Sequence, residues 1–213
     1  MGLLGRRRER KLHEAETFRA ARKLAAEDVT VLGEELAELH LDTLTTELDD
    51  AMRTDYRMAL DRYDAAKTAL DQATTTEHVD ALATHLADAR WARARVLARR
   101  DGRPLPERRE ECFFNPQHGP AQFDLDWTPP GGTPRTIAVC ATDHQRLTRG
   151  EQPATRMVRA GDRYVPWYAA DIARSMDSTY AAHVVRGHSY HSQAALLDTY
   201  LRSAGNGSGG AAG

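Results

Sequence analysis

Cys112 and Cys140 are the only cysteines in the chain, and an imidazole follows each within a few residues. Cys112 opens Cys-Phe-Phe-Asn-Pro-Gln-His118, a Cys-x5-His spacing in which Pro116 can tighten a turn. Cys140 opens Cys-Ala-Thr-Asp-His144. Thiolate and imidazole are the donors zinc prefers, four at a time and tetrahedrally. Cys112, His118 and Cys140 would supply three of them, and Asp143 or His144 the fourth. A shell filled entirely by protein makes the metal structural rather than catalytic. Two other readings of the same residues stand beside zinc. One is a site that has lost its metal, its cysteines packing as small buried hydrophobes. The other is a Cys112–Cys140 disulfide or a pair of unrelated thiols.

The segment around these residues has to bring them together. From Gln122 to Trp127 apolar and polar residues alternate strictly, as in a half-buried strand. Residues 128–134, Thr-Pro-Pro-Gly-Gly-Thr-Pro, form a loop, Thr136–Val139 returns as a second strand, and Asp143–Arg149 reads as a short helix closed by Gly150. A knuckle, a hairpin and ligands at a helix start resemble a treble-clef zinc module over about residues 112–150. The chain departs from that pattern because neither half carries a paired Cys-x2-Cys. A second hairpin is expected from Arg156–Arg159 and Arg163–Val165, turning at Gly161-Asp162. Beyond Pro166, Ile172, Met176, Tyr180 and Val184 mark an amphipathic helix, and a final short helix runs from about Ser192 to Arg202. The Gly-rich tail, residues 204–213, has nothing to bury and is expected to be disordered.

The first hundred residues follow a different period. Ala25, Val29, Leu32, Leu36 and Leu39 alternate steps of four and three, a stripe that extends back through Phe18 and Ala15. Met52, Tyr56, Ala59, Tyr63, Ala66 and Leu70 form a second stripe, and Val79, Leu82, Leu86, Ala89 and Val96 a third. Thr74 and Glu77 have the spacing of a capping box, and Asp101-Gly102-Arg103-Pro104 stops the third helix. Helices of about 25–30 residues, on the order of 40 Å each, joined by short turns must run antiparallel. The expected fold is mainly α with a small α+β module. An antiparallel three-helix bundle with coiled-coil-like seams spans 1–100, a Pro-rich linker 101–111, a β-rich zinc-finger-like module 112–168, and C-terminal helices 169–203.

Charge fits an up-down-up order. Arg90, Arg93, Arg95, Arg99 and Arg100 at the end of the third helix would face Glu34, Glu35, Glu38, Asp49, Asp50 and Asp55. Arg6, Arg7, Arg8, Arg10 and Lys11 would face Asp64, Asp71, Glu77 and Asp80. Single surface pairs contribute well under about 1 kcal/mol, but together they disfavour the wrong helix order.

No other cluster rises to a site. His188-x2-His191, with His183 nearby, lacks a thiol or carboxylate partner; Trp127, Trp167 and Tyr168 have the character of a small aromatic core rather than a ligand surface. Glu34-Glu35 and Asp49-Asp50 are successive helix positions that point apart. Ser175, Ser178 and Ser192 lack a nucleophile elbow, and there is no phosphate-cradling Gly-rich loop and no His-Glu-x-x-His.

A net charge of −2 recruits neither nucleic acid nor anionic membrane across the whole surface. The N-terminal arginines precede no apolar run, so they are no secretory signal, and no window is apolar enough to span a membrane. The expected compartment is the cytoplasm. Of 29 basic residues only Lys11, Lys23 and Lys67 are lysine, a skew associated with GC-rich bacterial genomes. In the same direction, CFFNPQHGPA (112–121), WTPPGGTPRTIAVCA (127–141) and GDRYVPWY (161–168) resemble proteins of high-GC bacteria that join a helical N-terminal region to a short cysteine-bearing segment. That resemblance covers about residues 8–168, ends after Tyr168 and implies no activity. The leading functional expectation is a non-catalytic interaction or scaffold protein, binding a protein partner or itself. The alternatives are a nucleic-acid-binding regulator using Arg135, Arg146, Arg149, Arg156 and Arg159, and a zinc hydrolase with His118, Cys140 and His144 as ligands and Asp143 as base.

Overall fold

The computed structural model describes residues 3–128, 134–160 and 163–169. The helices and tail expected after Ala169, with His183, His188, His191 and the three serines, lie outside the described residues. The described chain is mainly helical. Three long helices, α1 (Leu3–Thr43), α2 (Asp50–Gln72) and α3 (Thr76–Arg100), are followed by two antiparallel hairpins, β1 (Phe123–Trp127) with β2 (Arg135–Val139) and β3 (Met157–Ala160) with β4 (Arg163–Pro166). A short helix, α4 (Ala141–Thr148), separates them.

The three stripes read from the sequence meet in one core. Ala25, Leu32 and Leu39 of α1, Met52, Ala59 and Ala66 of α2, and Val79, Leu82, Leu86 and Val96 of α3 are all buried there. Many of these residues are alanine, which lets the helices approach closely. Ion pairs set their relative order. Arg95 and Arg99, late in α3, hold Asp55 early in α2 at 2.8 and 3.1 Å. Arg62 meets Asp88 midway, and Arg100 reaches Asp42 near the end of α1. Arg93 donates to the Glu35 carbonyl at 3.1 Å.

Two details depart from the sequence expectation. The helices are unequal, at 41, 23 and 25 residues. The first fully buried residue of α1 is Ala21, with Phe18 packed half-buried against the core as its stripe implies, and the described side chains from Arg6 to Glu16 are exposed. Nothing in Leu-Gly-Arg-Arg-Arg-Glu-Arg-Lys-Leu acts as a cap or a strong breaker, and Arg, Glu, Lys and Leu propagate a helix well, so α1 runs past the end of its packing. The basic start of α1 therefore does not meet Asp64, Asp71 or Glu77 in any ion pair among the described residues. Arg10 pairs with Glu14 on its own helix, and Asp64 with Lys67 on its own. The cap of α3 also lies one residue later than expected. Thr75, not Thr74, accepts the His78 amide, and Thr74 contacts the His78 ring instead. At the other end Gly102 takes φ +62° and the Arg103 amide closes on Ala98, as a glycine C-cap requires.

Gly33 of α1 lies against Tyr63 of α2, and a Cβ there would stand 2.6 Å from the Tyr63 hydroxyl oxygen. Gly33→Ala gains about 1 kcal/mol in a free helix. Here it is expected to gain nothing or to destabilise, and to recover that gain when combined with Tyr63→Phe. Urea denaturation of the two variants and the double variant checks this.

The linker is tied down rather than loose. The Trp91 indole donates to the Pro106 carbonyl at 3.1 Å, Arg108 pairs with Asp88, and Glu111 bridges to Pro120 as an isolated β-pair. No helix among the described residues is long and apolar enough to cross a membrane.

Candidate metal centre

The Cys112 knuckle is built by local turn chemistry. The Asn115 side chain accepts the Gln117 amide at 3.0 Å and caps a 3-10 turn, Pro116–His118. Gly119 leaves that turn at φ +80°, a conformation open to glycine, and its carbonyl accepts the Cys112 amide at 3.0 Å. The Phe113 amide reaches Ala138 on β2, which lays the knuckle against the first hairpin. Register in that hairpin pairs Phe123 with Val139 and Leu125 with Ile137. β2 thus delivers Cys140 directly onto the start of α4, where it is the N-cap residue and its sulfur accepts the Asp143 amide at 3.4 Å.

The result is a four-residue cluster of Cys112, His118, Cys140 and Asp143 that could hold a metal ion, with one donor atom from each and all within 4.8 Å of one another. Asp143 Oδ2 is the meeting point. Cys112 Sγ stands 3.3 Å from it, His118 Nδ1 3.0 Å and Cys140 Sγ 3.6 Å. Cys140 Sγ and His118 Nδ1 are 3.6 Å apart. Around a zinc ion with bonds of about 2.0–2.3 Å, tetrahedral ligand atoms stand about 3.3–3.8 Å from one another. The four distances above match that spacing to within a few tenths of an ångström, and all the donor atoms lie within 4.8 Å of one another. The other carboxylate oxygen, Asp143 Oδ1, accepts the Ala154 amide at 2.8 Å, which fixes the direction in which Oδ2 points. Such an outer hydrogen bond is what orients a metal-bound carboxylate.

Of the two residues left open for the fourth position, Asp143 is in the cluster and fully buried. His144 is not; its ring stacks on Phe123 with centroids 4.2 Å apart. Successive helix positions diverge by about 100°, so only one of the pair can face Cys140. Both cysteines are buried and free, with no disulfide between them.

The charges follow from these contacts. Cys140 is held below the usual thiol range by the Cys112 hydrogen bond and by the amides of the α4 first turn. Cys112 is pushed up by donating toward Cys140 and by burial. Hydrogen bonding to Asp143 raises His118 to about 9, and the contacts to His118, Ala154 and Cys112 outweigh burial to hold Asp143 at about 2. Without a cation, a carboxylate with no exposed surface is satisfied by three donors crowding a single oxygen. One divalent ion at their centre satisfies all four groups at once.

The aromatic residues around the centre are core. Phe113, Phe114, Trp127 and Tyr168 pack ring to ring at 4.8–6.1 Å, and Trp167 is buried with Val158 and Val165. A second group of charges, which no sequence motif announces, lies beside the knuckle. Arg90 holds Glu111 at 2.7 Å and faces Asp28 at 4.0 Å. Arg156 holds Asp28 at 2.7 Å, and Gln117 donates to the same carboxylate at 2.8 Å. Asp28, Arg90, Glu111 and Arg156 retain at most a tenth of their side-chain surface. Asp28 on α1 therefore grips the residue next to His118. None of three comparisons, with protein-family models, with curated proteins and with solved structures, returns a match to this chain.

Proposed function

We propose that Cys112, His118, Cys140 and Asp143 hold a structural zinc ion, and that the protein is a non-catalytic interaction protein of a bacterial cytoplasm. On this reading the three helices form an up-down-up bundle, with a zinc-finger-like module docked on its side. The convergence of two sulfurs, an imidazole nitrogen and a carboxylate oxygen within 4.8 Å of one another carries the metal assignment. Two thiolates with an imidazole and a carboxylate favour zinc over magnesium or calcium, which take oxygen ligands. Asp143 Oδ2 stands where a hydrolase would keep its water, so the shell is closed and the role is structural.

The interaction reading is supported by what α1 leaves uncovered. Its start presents Arg6, Arg7, Arg8, Arg10 and Lys11 beside exposed Leu12, and Leu41 and Leu44 are exposed near its end. Two of the five arginines of a nucleic-acid reading are engaged elsewhere: Arg156 is paired with Asp28, and Arg135 lies over the Phe113 and Trp127 rings at 4.7 and 5.4 Å.

Metal analysis of the purified protein is expected to find equimolar zinc. Cobalt exchanged into the site is expected to show the intense visible bands of a tetrahedral, two-thiolate centre. Protein free of metal, with both thiols freely alkylated under native conditions, would sink the assignment. The interaction half is tested by light scattering and by capture from the host lysate; a strict monomer that captures nothing counts against it.

A further inference from the structure

A cleft of about 870 Å³ lies next to the candidate metal centre and is used by none of the chemistry above. It has three sides. One is the face of α3 that carries Arg93 and Leu97, one turn apart, beside Ala94 and Ala98. The second is the linker strap Arg103-Pro104-Leu105-Pro106 with Arg109. The third is the start of α4, where Thr142 and Arg146 share a face, with His118 and Cys140 behind them. The volume is within the range of sites for small organic molecules.

The walls are of two kinds. Ala94, Leu97, Ala98, Pro104, Leu105 and Pro106 make an apolar surface, and Leu105 is 40% exposed with its side chain in reach of a ligand. Around it stand four arginines, with Glu107 the one acid among the lining residues. Asp101 and Asp124 partly neutralise Arg103 and Arg109. Arg93 gives its Nε to the Glu35 carbonyl and lies within electrostatic reach of the Glu35 carboxylate, whereas Arg146 has no ion pair among the described residues. An apolar wall rimmed by four guanidinium groups, Arg146 among them without an acidic partner in the described residues, fits one kind of occupant. Guanidinium pairs bidentately with phosphate and carboxylate, and the apolar wall removes carbon surface from water.

We propose that this cleft binds a small organic anion, an apolar body carrying a phosphate or a carboxylate. Three probes with the same ring separate its parts: phenyl phosphate, benzoate and the neutral benzyl alcohol. Each is titrated into the isotope-labelled full chain, as purified, and followed by amide chemical shifts. Saturable shifts are expected at Leu97, Leu105 and Thr142 with at least one anion and not with the alcohol. The order of the two anions tells phosphate from carboxylate. Arg146→Ser, at an exposed position whose side chain makes no hydrogen bond or ion pair among the described residues, is expected to weaken the tighter anion about tenfold. Arg57→Ser, exposed on α2 and outside the cleft, is expected to leave it unchanged. Three results overturn the proposal: no saturable shift with either anion, equal binding of the alcohol, or full affinity in Arg146→Ser with its spectrum otherwise intact.

Discussion

With zinc in the proposed site, Cys112→Ser is expected to release it and unfold the hairpins that follow Cys112 while leaving the three helices in place. The helices bury their own continuous set of residues, whereas the module has two small clusters, Cys112, Phe114, Ile137, Val139 and Cys140, and Val158, Val165 and Trp167, the second touching the helices through Leu24. Its two sheets have two strands each, of four or five residues, and sheets of that size are at best marginal in water on their own. A structural zinc supplies on the order of 10 kcal/mol of binding energy that is also folding energy. Losing one thiolate removes most of it, and the module has no comparable reserve. Trp127 and Trp167 report the change by fluorescence, and the far-UV helical signal reports what survives. A variant that keeps native tryptophan emission after exhaustive chelation would show that packing alone holds the module. The ligands should also rank. His118 stands at the solvent edge, so His118→Ala is expected to weaken binding yet keep the module folded at saturating zinc.

The same experiment separates the two ways in which Asp143 can be satisfied. If three protons do the work of the ion, the thiols donate to a carboxylate and Cys112→Ser substitutes a better donor for a weak one. Stability would then hold or rise. If an ion does the work, serine is a poor zinc ligand and stability falls by several kcal/mol. The sign of the change decides the matter.

Much of this arrangement was legible in the chain because it is local. The 3.6-residue stripes, the alternation across Phe123–Trp127 and the glycine stop at Gly102 each need only neighbouring residues to be recognised. The cysteine, histidine and aspartate cluster was legible too, since Cys112 and His118 lie in one short loop and Cys140 and Asp143 in one helical turn. Choosing between Asp143 and His144 was not, because it turns on the rotation of α4 about its axis, which the Cys140 cap sets. The long α1 was missed because helix propensity, not packing, carries it past Ala21. The buried charges show the opposite failure. Asp28 sits three after Ala25 and four before Leu32, on the apolar face, and Arg90 sits four after Leu86. A charge on a core seam is the signal that was there. What it pairs with could not be read, since Arg156 and Glu111 come from segments far along the chain that meet only in three dimensions.

That seam leads to the second large effect. Asp28→Ala is expected to destabilise the protein by about 3–5 kcal/mol, the range for breaking one side of a buried ion pair. The side chain is nearly inaccessible and takes contacts from three residues, Arg90, Arg156 and Gln117. Removing it leaves two buried guanidinium groups facing each other across the gap, with Glu111 the remaining buried carboxylate bonded to either of them. For a chain of this size the loss corresponds to a fall in Tm on the order of 10 °C. Asp28→Asn should cost less, since an amide oxygen still accepts from Gln117 and Arg156, and the difference between the two variants measures charge apart from shape. Because Gln117 adjoins His118, the effect should reach the metal. Zinc affinity is expected to drop in Asp28→Ala although no ligand is altered, and a double-mutant cycle with Arg156→Ala should show coupling well above about 0.5 kcal/mol. Additive effects in that cycle, with zinc affinity unchanged, would mean that the helices and the module fold independently and that Asp28 does not join them.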